Sequence, residues 1–216
     1  VAKVAPPRSA ADEADPARAA RAQAKGTEAF AASLTAWLDV QLGEKGAGDE
    51  KVAASELFEP RDLAVGGDVA EAPWLAERFA AYAPVPFDER LDLIAGDALE
   101  LAHGKTFGRY AHAMPTRREL RGRLLRMLRA KNPLALYRRF LADTGQSALF
   151  KAPAKGVVEW EDAFPLLLCA LAFAGPDGFM DCAAVRHLVI DEMQDLTPVQ
   201  HEVVARLFRC DRTILG

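Results

Sequence analysis

Residues 187–216 read HLVIDEMQDLTPVQHEVVARLFRCDRTILG, and this stretch decides the fold class. It opens with four apolar or aromatic-like residues that lead directly into two acids, Asp191 and Glu192. A short turn and a helical pattern follow, and the stretch ends in a second predicted strand near residues 212–215. Runs of this kind are typical of buried parallel strands. The order of strand, acids, helix and strand predicts a βαβ unit whose two strands lie side by side, covered by the helix.

The helical part of this stretch has a clear start and one apolar face. Thr197, Pro198 and Gln200 stand at the N-cap, the first and the third helical positions, which is a capping-box pattern. The apolar residues that follow recur at helical spacing: Val199, Val203, Val204, Leu207 and Phe208. The predicted unit therefore carries Asp191 and Glu192 to the carboxyl edge of a parallel sheet, where open α/β sheets bind ligands.

The acids belong to a longer string that resembles a known motif. Residues 191–195, Asp-Glu-Met-Gln-Asp, resemble the D-E-x-Q-D form of Walker B in UvrD/Rep-type superfamily 1 helicases, and the following Leu-Thr-Pro-Val-Gln matches too. Thr-Ile-Leu-Gly at 213–216 is similar to the approach to that family's next motif, whose first residue would be Gly216. Residues 157–167 resemble the segment before Walker B, most closely in HelD-type, RNA-polymerase-associated ATPases. The resemblance is strong over 157–216 and thin over 1–150.

This resemblance implies roles for four residues and two cofactors, ATP and Mg²⁺. Asp191 would hold Mg²⁺, usually through water, and Glu192 would lie at the metal and activate the attacking water. Gln194 would sense the γ-phosphate and couple it to movement on nucleic acid, and Gly216 would lie at the nucleotide. The implied partners are DNA, single-stranded or duplex, and RNA polymerase. The structural alternative is an acid pair that only offsets a helix dipole.

The sequence lacks a complete phosphate-binding loop. The nearest match to G-x-x-x-x-G-K-[ST] is Gly104-Lys105-Thr106, but Leu99 stands where the first glycine is required. The preceding residues have a helical pattern, so Gly104 is predicted to be a helix C-terminal glycine. We therefore expect the chain to be a monomeric fragment that starts after the phosphate loop of its parent and is inactive alone.

The predicted fold class is α/β but mostly α. Residues 1–152 are predicted to form a helical insertion, equivalent by resemblance to the 1B subdomain of these helicases. Residues 153–216 would form the second half of a RecA-like P-loop NTPase core, the 1A-like part. Its few parallel strands are expected near 157–160, 187–191 and 212–215. Helices are predicted over residues 27–42, 73–82, 88–103, 116–131 and 134–143.

Charge is distributed unevenly along the chain. Residues 1–100 carry a net charge of −9 and residues 101–216 a net charge of +5, which gives −4 overall. The basic half is concentrated in the predicted helix at 116–131, whose candidate contact residues are Arg118, Arg121, Arg126 and Arg129. They either form a solvated helix face or contact nucleic acid or an acidic partner such as RNA polymerase. Aromatic residues do not interleave with them, which argues against a base-stacking platform.

The remaining composition points to an intracellular protein. The three cysteines are odd in number and lack metal-ligand spacing, and Cys169 is expected in a core helix. A signal peptide and a membrane-spanning segment are not evident, so the cytoplasm is the expected location. Two rivals to the HelD-type interpretation stay open. One is a plain UvrD-type DNA-repair helicase, and the other is a non-catalytic helical module that binds RNA polymerase or another protein.

Overall fold

The computed structural model describes residues 3–4, 15–42, 57–83, 85–105, 114–151 and 157–216. In this part the fold is α/β and mostly helical, as predicted. The helices are α1 Pro16–Lys25, α2 Glu28–Leu42, α3 Ala72–Ala81, α4 Phe87–Lys105, α5 Arg117–Leu125, α6 Pro133–Asp143, α7 Ala163–Ala174, α8 Met180–Ala183 and α9 Pro198–Leu207. The strands are β1 Lys3–Val4, β2 Leu63–Val65, β3 Asp68–Ala70, β4 Val157–Val158, β5 His187–Ile190 and β6 Asp211–Ile214.

The chain divides into two compact units. Unit 1 contains residues 1–38 and 132–216, and unit 2 contains residues 39–131. The predicted boundary near residue 152 falls inside unit 1, and it stays a prediction. Unit 1 combines both ends of the chain because α1 packs with the segment after β4, through contacts between residues more than a hundred positions apart in sequence. The helix α6 contacts the same segment through Tyr137 and Asp162. The equivalence of residues 1–152 to a 1B subdomain stays a prediction.

Unit 1 is built around α7, an almost entirely apolar helix. It packs against α6 on one side and α9 on the other. Cys169 of α7 is completely buried, which confirms its expected place in a core helix, and burial raises the pKa of its thiol. A second part of the core joins α2 to α6, where the Phe30 and Phe140 rings meet edge to face with centroids 5.7 Å apart. Two parallel strand pairs complete the unit: β1 with β4, and β5 with β6.

Unit 2 packs a small hairpin and three helices around one core. The strands β2 and β3 are antiparallel, and Gly66 at their turn has a φ of 63°, which favours glycine. The hairpin was not predicted from the sequence. Helices α3, α4 and α5 contribute buried apolar side chains: Leu75, Phe79, Phe87, Leu91, Ile94, Leu120 and Leu124.

The helix starts follow local sequence signals. The Thr116 hydroxyl accepts from the Glu119 backbone N–H at 3.2 Å, and the Thr116 N–H donates back to the Glu119 carboxylate at 2.8 Å. This reciprocal capping box fixes the start of α5. At α9, the Thr197 N–H donates to Oε1 of Gln200 at 2.7 Å, so Gln200 plays its predicted part. Among the described residues, no helix combines the length and apolar character needed to cross a membrane.

Candidate functional site

The edge formed by the ends of β5 and β6 contains the predicted site residues. The two strands are parallel, with Ile190 opposite Ile214, and the Leu215 N–H extends the ladder by donating to the Ile190 carbonyl at 2.8 Å. Asp191 and Gly216 consequently follow neighbouring strands at the same carboxyl edge. The predicted order is confirmed: strand, turn, helix α9 and a second parallel strand.

The turn after β5 holds the two acids in a specific local conformation. Glu192 has φ 50° and ψ 48°, in the left-handed region that side-chain-bearing residues rarely occupy. The Asp191 carboxylate accepts a hydrogen bond from the Glu192 N–H at 3.0 Å. The Asp195 N–H donates to the Glu192 carbonyl at 2.9 Å and closes a single 3₁₀ turn. Such backbone conformations cost about 1–3 kcal/mol and cluster at ligand-binding and active sites.

Gln194 links Glu192 to the end of β6. Its side-chain Nε2 donates to Oε2 of Glu192. Its Oε1 lies so near Gly216 that an ideal Cβ added there would be 2.8 Å from this oxygen. Side-chain Cβ atoms essentially never come that close to another heavy atom, so only glycine at 216 is compatible with this position of Gln194. The structure therefore brings Asp191, Glu192, Gln194 and Gly216 together.

The donor set at this edge consists of exposed carboxylate and amide oxygens. The side chains of Asp191, Glu192 and Gln194 are exposed, so their oxygens are accessible from solvent. Within the described part of the chain, no group of three or more metal-ligating side chains forms a metal cage. Mg²⁺ is usually bound by one or two carboxylates together with phosphate oxygens and water, so Asp191 and Glu192 are the side chains that could hold such an ion.

The prediction that β5 is buried is wrong. Val189 of β5 is 58% exposed and Ile214 of β6 is 56% exposed. The expected cover, α9, turns its buried residues Val199, Val203 and Leu207 into unit 1 and packs against α7. An apolar run shows that a strand is suited to burial, but it does not show which element packs on it. Here α9 does not cover the strands β5 and β6.

The basic segment of unit 2 engages most of its arginines in local contacts. Arg121 pairs with Asp88 at 2.8 Å, and Arg129 pairs with Glu59 at 2.6 Å. The other two predicted contact residues, Arg118 and Arg126, are exposed and have no ion pair among the described residues. The helix α5 ends at Leu125, so Arg126 is its C-cap and Arg129 lies beyond it. The four arginines consequently do not form one continuous helix face.

The glycine-lysine pair near residue 104 lies in a helix. The helix α4 continues through Gly104 to Lys105, so this segment is not the strand and loop that a phosphate cradle requires. Gly104 is in the last turn, as predicted for a helix C-terminal glycine. Thr106 lies outside the described residues.

A buried ionic network in unit 1 was missed by the sequence interpretation. Lys25 of α1 approaches Asp162 with 2.5 Å between Nζ and Oδ1, and their side chains are only 2% and 0% exposed. The Tyr137 hydroxyl donates to the same Oδ1 at 2.8 Å. Two half-buried neighbours repeat the pattern, since Arg18 pairs with Glu161 and Arg21 pairs with Glu159.

The electrostatics of this network follow from its burial. Loss of solvation raises the pKa of the Asp162 carboxyl above its ordinary 3.8, and the Lys25 ammonium opposes that shift. Oδ2 of Asp162 is buried and has no hydrogen-bond partner within the described part of the chain. A sequence signal existed, because cations at 18, 21 and 25 share one helix face and 159–162 carries three acids. Only the fold shows that these two segments meet.

Comparison of the chain with known proteins identified no relative. No protein-family model, no characterised protein and no solved structure matches the chain. The candidate site accordingly depends on its own geometry and on the motif in residues 191–195.

Proposed function

We propose that the edge formed by Asp191, Glu192, Gln194 and Gly216 binds the phosphates and Mg²⁺ of ATP in an ATP-hydrolysing motor of the UvrD/Rep helicase type. The observation that carries this proposal is the arrangement of these four residues at the carboxyl edge of the parallel pair β5–β6. Open α/β sheets bind ligands at such edges. A pair of exposed acids at this place is accessible to a metal–nucleotide complex.

The two carboxylates take different parts in this function. Asp191 is fixed by the Glu192 N–H and would hold Mg²⁺, with water between them where the ion keeps its hydration shell. Glu192 would accept a hydrogen bond from a water molecule and orient it towards the γ-phosphate. Bound Mg²⁺ would neutralise charge on the phosphate oxygens. Sites of this type bind the nucleotide phosphates with a glycine-rich loop as well, and these 216 residues contain no complete pattern for one.

The first experiment measures metal binding by this chain. Titration with Mn²⁺ in the presence of ADP, followed by electron paramagnetic resonance, reports the free ion directly. Asp191→Asn should weaken Mn²⁺ binding, because it removes the carboxylate charge. Asp195→Asn is the matched control, since Asp195 is another exposed acid of the same turn. Equal binding by wild type and Asp191→Asn would reject the metal site.

The second experiment measures ATP hydrolysis in the complete motor protein. Glu192→Gln preserves size and hydrogen bonding but removes the charge that orients water. ATP should still bind, while the hydrolysis rate falls by about a hundredfold or more, as expected for loss of a general base. Asp191→Asn should instead weaken Mg²⁺-dependent nucleotide binding. Wild-type hydrolysis in both variants would show that the Walker B assignment is wrong.

The partner of the motor is a second part of the proposal. DNA and RNA polymerase are the two candidates, and Arg118 and Arg126 are the exposed cations of unit 2 that would contact either one. Arg121 and Arg129 are weaker candidates, because each already faces a carboxylate. With either partner, the exposed arginines of unit 2 would form the contact surface, and ATP hydrolysis at the β5–β6 edge would supply the energy.

A further inference from the structure

We infer that Gln194 is a positioning residue that holds the Glu192 carboxylate in its working orientation, and that Gly216 is the steric stop that keeps Gln194 in place. This inference rests on the proposed function, in which Glu192 orients water. It adds a three-residue relay that joins the end of β6 to the acid after β5. The relay consists of the Glu192 carboxylate, the Gln194 carboxamide and the Cα of Gly216.

The first link is the hydrogen bond from Gln194 to Glu192. An ionised carboxylate only accepts hydrogen bonds, so the NH₂ end of Gln194 must face it. Glu192 is exposed, and a glutamate side chain in solvent samples several rotamers. Fixing such a side chain in one rotamer costs conformational entropy. Gln194, only two residues away on the same hydrogen-bonded turn, offsets that cost by holding the Glu192 carboxylate in the absence of a ligand.

The second link is the contact between Gln194 and Gly216. With Nε2 directed to Glu192, the oxygen of the carboxamide is directed to the backbone at 216. A methyl group at 216 would be 2.8 Å from that oxygen, closer than van der Waals contact allows. The atom it would displace is the end of a flexible side chain. The backbone can therefore stay in place while the carboxamide moves away from Glu192.

The third link is the backbone of Glu192. Glu192 connects β5 to the 3₁₀ turn and has a left-handed backbone conformation. The Asp195 N–H donates a hydrogen bond to the Glu192 carbonyl and thereby closes the turn. The side chains of 192 and 194 thus meet within a hydrogen-bonded turn that leaves little freedom for the backbone between them. A change at 216 is transmitted to Glu192 through Gln194, without a rearrangement of unit 1.

A spectroscopic experiment on the 216-residue chain tests the relay directly. The side-chain NH₂ signal of Gln194, assigned by its loss in Gln194→Met, should shift in Glu192→Gln, which removes the charged acceptor. It should also shift in Gly216→Ala, while the backbone signals of β5 and α9 stay in place. Gly122→Ala is the matched control, because a Cβ at Gly122 meets nothing within 4 Å. An NH₂ signal unchanged in both Glu192→Gln and Gly216→Ala would overturn the inference.

A kinetic experiment on the complete motor protein tests the consequence. Gln194→Met and Gly216→Ala should each lower kcat by about ten- to a hundredfold with little change in KM, as expected when a catalytic group is misplaced. The double variant should be no slower than the worse single variant, because both changes break the same relay. Independent, additive losses would overturn the inference. Normal kcat in Gln194→Met beside a strong defect in Glu192→Gln would reject the relay and keep the proposed function, whereas normal kcat in Glu192→Gln would reject both.

Discussion

Replacing Lys25 by methionine should destabilise unit 1 by about 3–5 kcal/mol at neutral pH, the scale for breaking a buried ion pair from one side. The ammonium of Lys25 lies 2.5 Å from Oδ1 of Asp162, and both side chains are almost completely buried. Without it, Asp162 keeps one hydrogen bond, from Tyr137, while Oδ2 already lacks a partner in the described part of the chain. The variant would therefore hold a carboxylate charge in the core with a single donor to stabilise it.

The pH dependence of this loss has a defined sign. Burial raises the folded-state pKa of Asp162 above its ordinary 3.8, and the Lys25 charge is the main influence that opposes the rise. A carboxyl group with a raised folded pKa contributes less stability as the pH increases from the unfolded value through the folded one. Lys25→Met raises the folded pKa further. Its penalty should be largest above that pKa and should shrink as the pH falls towards 3.8.

The assay is urea denaturation at several pH values, followed by circular dichroism at 222 nm. Lys151→Met is the matched control, because Lys151 is exposed and the same substitution there should change stability by no more than about 0.5 kcal/mol. The double variant Lys25→Met/Asp162→Asn removes both charges and should recover most of the lost stability. A loss below about 1 kcal/mol for Lys25→Met, or a loss that does not shrink in acid, would refute the reasoning.

Two further predictions concern unit 2. Thr116→Ala removes the N-cap of α5 and should cost about 1 kcal/mol in the same denaturation assay, with an unchanged midpoint counting against the capping-box interpretation. If the exposed arginines of this unit contact phosphates, their replacement by glutamine should flatten the salt dependence of duplex-DNA binding by about 0.9 in the log–log slope for each lost contact. The replaced residues are Arg118, Arg121, Arg126 and Arg129, of which Arg118 and Arg126 should account for most of the change. Preserved DNA affinity together with reduced RNA-polymerase binding would assign the surface to the protein partner.

The helices were predictable because their signals are local. Capping residues, a proline at the first helical position and apolar residues at helical spacing fixed α2, α3, α4 and α6 to within two residues. The helix predicted over 116–131 was too long, because α5 ends at Leu125. The hairpin β2–β3 was not predicted, because strands of three residues are too short to show alternation. The division into units 1 and 2 was not visible in the sequence for a related reason, and the boundary near 152 stays a prediction. The ion pairs that join α1 to residues 159–162 span well over a hundred positions, and a single sequence does not show such pairings.

The candidate site was predictable only as far as strand order determines it. Parallel strands place the residues that follow them at one edge, and Asp191 and Gly216 do follow the paired strands β5 and β6. The left-handed backbone of Glu192 and the approach of Gln194 to Gly216 depend on individual dihedral angles. Residue types at these positions are compatible with many turn conformations, so the relay became visible only in the structure.

Two sets of acids in unit 1 differ physically, and the difference supports the proposed roles. Glu159, Glu161 and Asp162 are buried or half-buried, and each faces a cation of α1. Removing a charge from water requires such a partner, so these acids are already engaged in holding the fold together. Asp191 and Glu192 are exposed, sit on a conformationally costly turn and have no ion pair among the described residues. Acids placed in this way contribute little to folding but remain accessible to a metal–nucleotide complex, and a turn that holds them at a cost of about 1–3 kcal/mol is better explained by binding than by stability.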